Sequence, residues 1–144
     1  MERRTFIATA GSAVAVGLAG CLDAGGNPMG EHEVGMTIDE FRPDELTVQP
    51  GTTVTFINTS SHAHTVTAFQ DAYPEDAEYW ASGGFESEQE ARDAWSQDLA
   101  GNLYQDERYE KTFEYPGRYE YYCIPHYVPE QGTSMVGQII VEEA

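Results

Sequence analysis

Two cysteines, four histidines and four methionines are the side chains of this 144-residue chain best suited to hold a soft metal ion. Cys123 and His126 stand three positions apart in Tyr122-Cys123-Ile124-Pro125-His126, and Met135 follows after eight further residues. A Cys-x-x-His pair presents a thiolate and an imidazole to one metal from a single turn, and Pro125 restricts the backbone between them. Upstream, His62 and His64 flank Ala63, just ahead of Thr65-Val66-Thr67. A thiolate with two imidazoles and a distant thioether suits both Cu(I) and Cu(II), so a one-electron change asks for little rearrangement. Copper also stabilises the thiolate over the thiol. The pair by itself carries little weight, because a buried and inert cysteine has the same pattern.

The N-terminus bears on that thiol. Residues 1–20 begin with a charged stretch containing Arg3-Arg4 and continue as an apolar run to Leu18-Ala19-Gly20-Cys21. The run is shorter than the roughly 20 residues a spanning helix needs. It resembles a twin-arginine export signal closed by a lipobox, which makes Cys21 the expected lipidated N-terminus. An uncleaved short membrane helix is the alternative, and either arrangement tethers the chain to a membrane. Residues 21–33, with Gly25-Gly26-Asn27-Pro28 and Gly30, read as the anchor and a flexible tether. The expected location is exported, on the outer face of the cell membrane. Cys123 is then the one thiol left in the domain, so an intramolecular disulfide is excluded despite the oxidising compartment.

The elements that must position these side chains are mostly strands. From Val34 onward, Met36 and Ile38 alternate with polar residues, as do Leu46 and Val48; Val54 and Phe56 follow the Pro50-Gly51 turn. His64 to Thr67, Tyr109 to Phe113, Arg118 to Cys123 and Val136 to Val141 continue the pattern, with Tyr115-Pro116-Gly117 as a turn. Short strands separated by turns predict an all-β sandwich over 34–144. Between Phe69 and about Glu107 the alternation stops. A helical insertion is expected around 87–99, with Ser87 and Glu90 at capping-box spacing and Gly101 as the stop. Trp95 and Leu99 fall on one helical face, expected against the sandwich edge. The insertion is too short and polar to hold a core of its own.

The segment from Gly117 through Cys123, Pro125 and His126 to Met135, Gly137 and Val141 resembles the C-terminal copper-binding stretch of the plastocyanin and halocyanin (cupredoxin) family. Leu46 to Asn58, followed by His64-Thr65-Val66, resembles the stretch of the same family that bears its first histidine. The resemblance spans roughly residues 34–69 and 108–143. It implies a Greek-key, cupredoxin-like β-sandwich holding one type 1 copper through His64, Cys123, His126 and Met135. It further implies a non-enzymatic carrier that shuttles single electrons between membrane redox partners. Alternation does not separate His62 from His64, since residues two apart share a face; the resemblance favours His64, which a strand follows at once. The loop before Met135 is longer than is usual in that family, which leaves a Gln131 or backbone oxygen open as an axial alternative. Thr65 stands where many plastocyanins have Asn, so hydrogen bonding around the ligands is expected to differ.

Docking of a redox partner is expected at an apolar patch around His126 made by Pro125, Tyr127, Val128 and Pro129. Strand parity puts Tyr122 on the face opposite Cys123, so Tyr122 is either a second outer contact or packs beneath the inserted helix. The competing readings are a copper storage or delivery protein with the same fold and a multicopper enzyme fragment. The enzyme needs further ligands, and beyond the site only His32 and His62 remain; a purple dinuclear centre needs a second nearby cysteine.

The charge balance agrees with a carrier. With 25 acidic and 7 basic residues, the net charge of −18 repels nucleic acid phosphates and excludes that class of partner. Lys111 is the only lysine, and this acid-rich, lysine-poor surface fits a monomer working in concentrated salt. At about 1 M ionic strength the Debye length is roughly 3 Å, so docking is expected to rely on apolar contact and acidity to serve solubility.

Overall fold

The computed structural model describes residues 30–143. The stretch expected to be an export signal at 1–20, the expected lipidation site Cys21 and most of the expected tether at 21–33 lie outside the described residues. No helix among the described residues is long and apolar enough to cross a membrane.

Two four-stranded sheets face each other. The first has the order β2-β1-β4-β6, from β1 (Glu33–Met36), β2 (Phe41–Arg42), β4 (Thr52–Asn58) and β6 (Arg108–Phe113). The second has the order β3-β8-β7-β5, from β3 (Glu45–Val48), β5 (Thr67–Ala68), β7 (Gly117–Val128) and β8 (Thr133–Val141). β1 runs parallel to β4 and β3 parallel to β8, while the remaining pairs are antiparallel. The predicted all-β, cupredoxin-like sandwich is the observed fold.

Alternation explains which side chains meet. Val54 and Phe56 of β4, Tyr119, Tyr121 and Cys123 of β7, and Met135, Ile139 and Val141 of β8 all enter one core with Val34, Met36 and Phe113. The Pro50-Gly51 turn forms as expected, with Gly51 at φ 89°. Tyr119 donates its hydroxyl to the Tyr115 carbonyl at 2.7 Å and pins the corner between β6 and β7. Gly137 breaks the apolar series on β8 for a steric reason: a Cβ there would stand 2.6 Å from the Tyr121 hydroxyl oxygen and 2.7 Å from its Cζ. Gly137→Ala is therefore expected to destabilise the domain by about 1–3 kcal/mol through overpacking, seen as a lower midpoint in urea; an unchanged midpoint would show that the ring moves freely.

The inserted segment departs from expectation in two places. Its helix α1 (Glu88–Asp98) is capped by Ser87, whose side chain accepts the Glu90 N–H at 3.1 Å. The helix stops at Leu99, which takes the left-handed conformation at φ 59°, rather than at Gly101. Leu99 is consequently half exposed and does not pack on the sandwich; Ala91 is the buried residue of the helix, and the Trp95 indole is tied to Asn102 Oδ1 at 2.8 Å. Ile38 was expected to extend β1, but the strand ends at Met36 and Ile38 is exposed.

The insertion also does more than ride on the sandwich. It sends Trp80 into the core, against Phe113 and Tyr121. Ser82 donates its N–H to Val66 O at 2.7 Å, and Leu103 exchanges both backbone hydrogen bonds with His64, at 2.7 and 3.1 Å. The segment without strand signal thus holds the backbone of a candidate ligand.

Candidate metal centre

The centre sits at one end of the sandwich, where β7 leaves its ladder. Tyr122 pairs with Val136 and Tyr127 with Ser134, so the four residues 123–126 bulge opposite the single residue Met135. That register break lets Cys123 and His126 turn toward the same point. It also resolves the long loop. Tyr127 and Val128 extend the hairpin by pairing with Ser134 and Thr133, and a 3-10 turn at Pro129–Gln131 with Gly132 at φ 80° closes it. The additional residues lie beyond the centre, and Met135, fully enclosed in the core, remains across from the Cys-Ile-Pro-His bulge.

His64, Cys123 and His126 converge. Their ligand atoms all lie within 4.8 Å of one another. Each histidine turns Nδ1 to the sulfur, at 3.5 Å for His64 and 3.3 Å for His126. Atoms bonded to one ion at about 2.0–2.3 Å must stand close in this way. The donor set of two imidazole nitrogens and one thiolate is the one copper takes in electron-transfer sites. His62 is not part of the cluster; its ring lies outside, facing His126.

Burial sets the protonation of the donors. The Cys123 thiol is pushed up to about 11 because its surroundings disfavour a thiolate, opposed by hydrogen bonds from Thr65 and His126. His64 is pushed down to about 4, first by burial and then by the neighbouring charge of His126. His126 is lowered as well, chiefly by burial. At neutral pH both imidazoles are therefore free to bind metal, and a metal taking up the sulfur displaces its proton.

The surrounding hydrogen bonds hold the donors from behind. His64 Nε2 lies 3.1 Å from Ser60 Oγ, which fixes the ring with Nδ1 inward. Asn58, with no exposed surface, uses its whole amide: it donates to the His62 and Leu103 carbonyls at 2.7 and 2.8 Å and accepts from Ser60 N and Oγ at 2.8 and 2.9 Å. Thr65, read from the sequence as a departure, donates its N–H toward Cys123 Sγ at 3.4 Å and accepts the Ile124 N–H at 2.9 Å. Asn58 and Ser60 carried no sequence signal, because their roles depend on Leu103 and His64 being brought beside them.

Among the expected docking residues, Pro125, Tyr127 and Val128 are half-buried beside His126, and Pro129 is exposed. Tyr122 must be withdrawn as an outer contact. Parity places it correctly on the face away from the core, but α1 covers that face and leaves it no exposed surface. Its ring stacks on Phe69 at 4.4 Å, and its hydroxyl donates to Glu88 Oε2 at 2.6 Å while accepting from Arg92 at 2.7 Å.

Comparison with known proteins agrees with the geometry. The family described as copper binding proteins, plastocyanin/azurin family, matches residues 31–142. The chain is 34% identical over 103 residues to a chloroplastic plastocyanin of Chlamydomonas reinhardtii, covering 72% of this chain and 59% of that one. It is 32% identical over 133 residues to the minor chloroplastic plastocyanin isoform of Arabidopsis thaliana, covering 90% and 68%. It spans 49% of the length of the plastocyanin of Physcomitrium patens, so it corresponds to about half to three fifths of several of these relatives. Among solved structures, amicyanin from Paracoccus versutus superposes with a TM-score of 0.52 at 27% identity, over 83% of this chain and 88% of that one. With a Cys-His-His cluster at the end of a two-sheet sandwich and a family match across nearly all of the described residues, the chain belongs to the plastocyanin/azurin family of copper-binding proteins.

Proposed function

We propose that this protein is a mononuclear blue copper electron carrier, exported and tethered by lipid on Cys21 to the outer face of a membrane, where it passes single electrons between redox proteins. The observation that carries the reading is the asymmetry of the donor cluster: His64 and Cys123 are sealed, whereas His126 is only half-buried. Copper bound there supplies a reversible Cu(I)/Cu(II) couple. Cys123 and His64 hold their positions through Thr65, Ser60 and the core, so the site is preformed and needs little reorganisation. Met135, opposite the bulge, would be the thioether that completes the copper site. His126, rimmed by Pro125, Val128 and Pro129, offers the edge through which a partner exchanges the electron.

Titrating the copper-free protein with Cu(II) tests the function. An intense blue thiolate-to-copper absorption should saturate at one copper per chain, bleach on reduction and return on oxidation over repeated cycles. A colourless complex, or one that bleaches without recovery, would point to storage or delivery instead.

A further inference from the structure

His126 is the least secured of the three donors. His64 and Cys123 have no exposed surface, whereas His126 is half-buried and belongs to the four-residue bulge outside the β7–β8 ladder. What stands beside its ring is a pair of other imidazoles. The His64 ring lies 4.7 Å away, tilted by 47°. The His62 ring lies nearly parallel, with centroids 6.2 Å apart and planes 15° from each other.

The backbone of His62 is firmly placed, while its side chain is exposed. Its N–H donates to Ser60 Oγ at 3.2 Å, and its carbonyl accepts from Asn58 Nδ2 at 2.7 Å and Ser60 Oγ at 3.2 Å. Asn58 and Ser60 are both buried and also position His64. One short loop therefore carries a ligand, His64, and two residues earlier a non-ligand ring laid along His126, the one of the three donors that is not fully buried.

We propose that His62 is a positioning residue for His126: its ring covers an outer face of the His126 imidazole and keeps Nδ1 turned toward Cys123, which slows the swing that would release copper. The proposal rests on copper binding at His64, Cys123 and His126. A ring pair within about 7 Å contributes modest, face-dependent attraction, and that is enough to matter for a side chain that the sheet does not hold. The ring's flat face is what acts, so an aromatic replacement should serve and an alanine should not.

The test uses the full-length protein and its His62→Ala and His62→Phe variants, each loaded with copper, reduced, and mixed with excess bathocuproine disulfonate as a Cu(I) chelator. His62→Ala is expected to surrender copper about fivefold faster, the scale of a lost ring contact. His62→Phe should stay within about twofold of the unsubstituted protein. The blue band of all three oxidised proteins should fall at the same wavelength, because the ligands are unchanged. Equal release rates for His62→Ala and the unsubstituted protein overturn the proposal. So does His62→Phe releasing copper as fast as His62→Ala, which would assign the effect to imidazole nitrogens. Loss of the blue band in both variants would make His62 a ligand and overturn it too. Failure of the unsubstituted protein to form a blue complex would instead bring down the copper-carrier reading.

Discussion

Cys123→Ser is expected to abolish the intense blue absorption completely while leaving the fold in place. The band arises from charge transfer between the sulfur and copper, so no rearrangement of His64, His126 and Met135 can restore it. Copper affinity should fall with it, since a serine hydroxyl does not ionise to replace the thiolate. The fold survives because the hydroxyl inherits polar neighbours: the Thr65 N–H, now 3.4 Å from Sγ, and the two Nδ1 atoms at 3.5 and 3.3 Å. The copper-free variant should therefore unfold within about 1 kcal/mol of the unsubstituted copper-free protein. The checks are the visible spectrum after Cu(II) addition and thermal unfolding followed by circular dichroism. A retained blue band would remove Cys123 from the centre; an unfolded variant would show that the cysteine is needed for packing.

The second large effect concerns acid. His64 has no exposed surface, and burial together with the charge of His126 holds its pKa at about 4 instead of the ordinary 6.5. In the copper-free protein the folded state therefore stays unprotonated at His64 down to about pH 4, whereas the unfolded chain takes up that proton near 6.5. Between these values the unfolded state binds more protons, so stability falls as pH falls. The contribution is fully present above 6.5 and is lost progressively on approach to pH 4. Its ceiling is about 3 kcal/mol, from the separation of the two values. His126, lowered in the same direction, adds to the slope.

Carboxylates also titrate toward the acid end of this window, and with 25 of them their effect must be separated. Urea unfolding of the copper-free protein between pH 7 and pH 4, beside a His64→Gln variant that keeps the carboxylates, makes the separation. The unsubstituted protein should lose stability more steeply than the variant. Superimposable pH profiles would mean that His64 is not held neutral by its surroundings.

Much of the architecture could be read directly from residue order. The alternating stretches that hold Val54, Phe56, Tyr119, Tyr121, Cys123, Ile139 and Val141 were legible as strands, and a two-residue repeat then commits each series to one buried face. The Ser87 cap was legible because capping is a contact over three residues. Ile38 and Leu99 were misplaced for a matching reason: periodicity reports which face a side chain takes but not whether anything covers it. Tyr122 shows the same limit in reverse, with its face read correctly and the cover of α1 invisible.

The donor types belong to the same local order. A thiol, two imidazoles and a thioether, with Cys123 and His126 three apart, are compatible with copper by their chemistry, and the resemblance to the plastocyanin and halocyanin family singles it out. Two questions about them needed the folded chain. His64 rather than His62 enters the cluster because Leu103, nearly forty residues downstream, pairs with the His64 backbone while Asn58 and Ser60 tether His62 outside it. Met135 keeps its place despite the long loop because the extra residues pair with each other as hairpin, and the β7–β8 register absorbs them. Spacing along a chain fixes what a few consecutive residues can reach. Which of two neighbouring histidines meets a distant sulfur depends on hydrogen bonds between segments that only folding brings together.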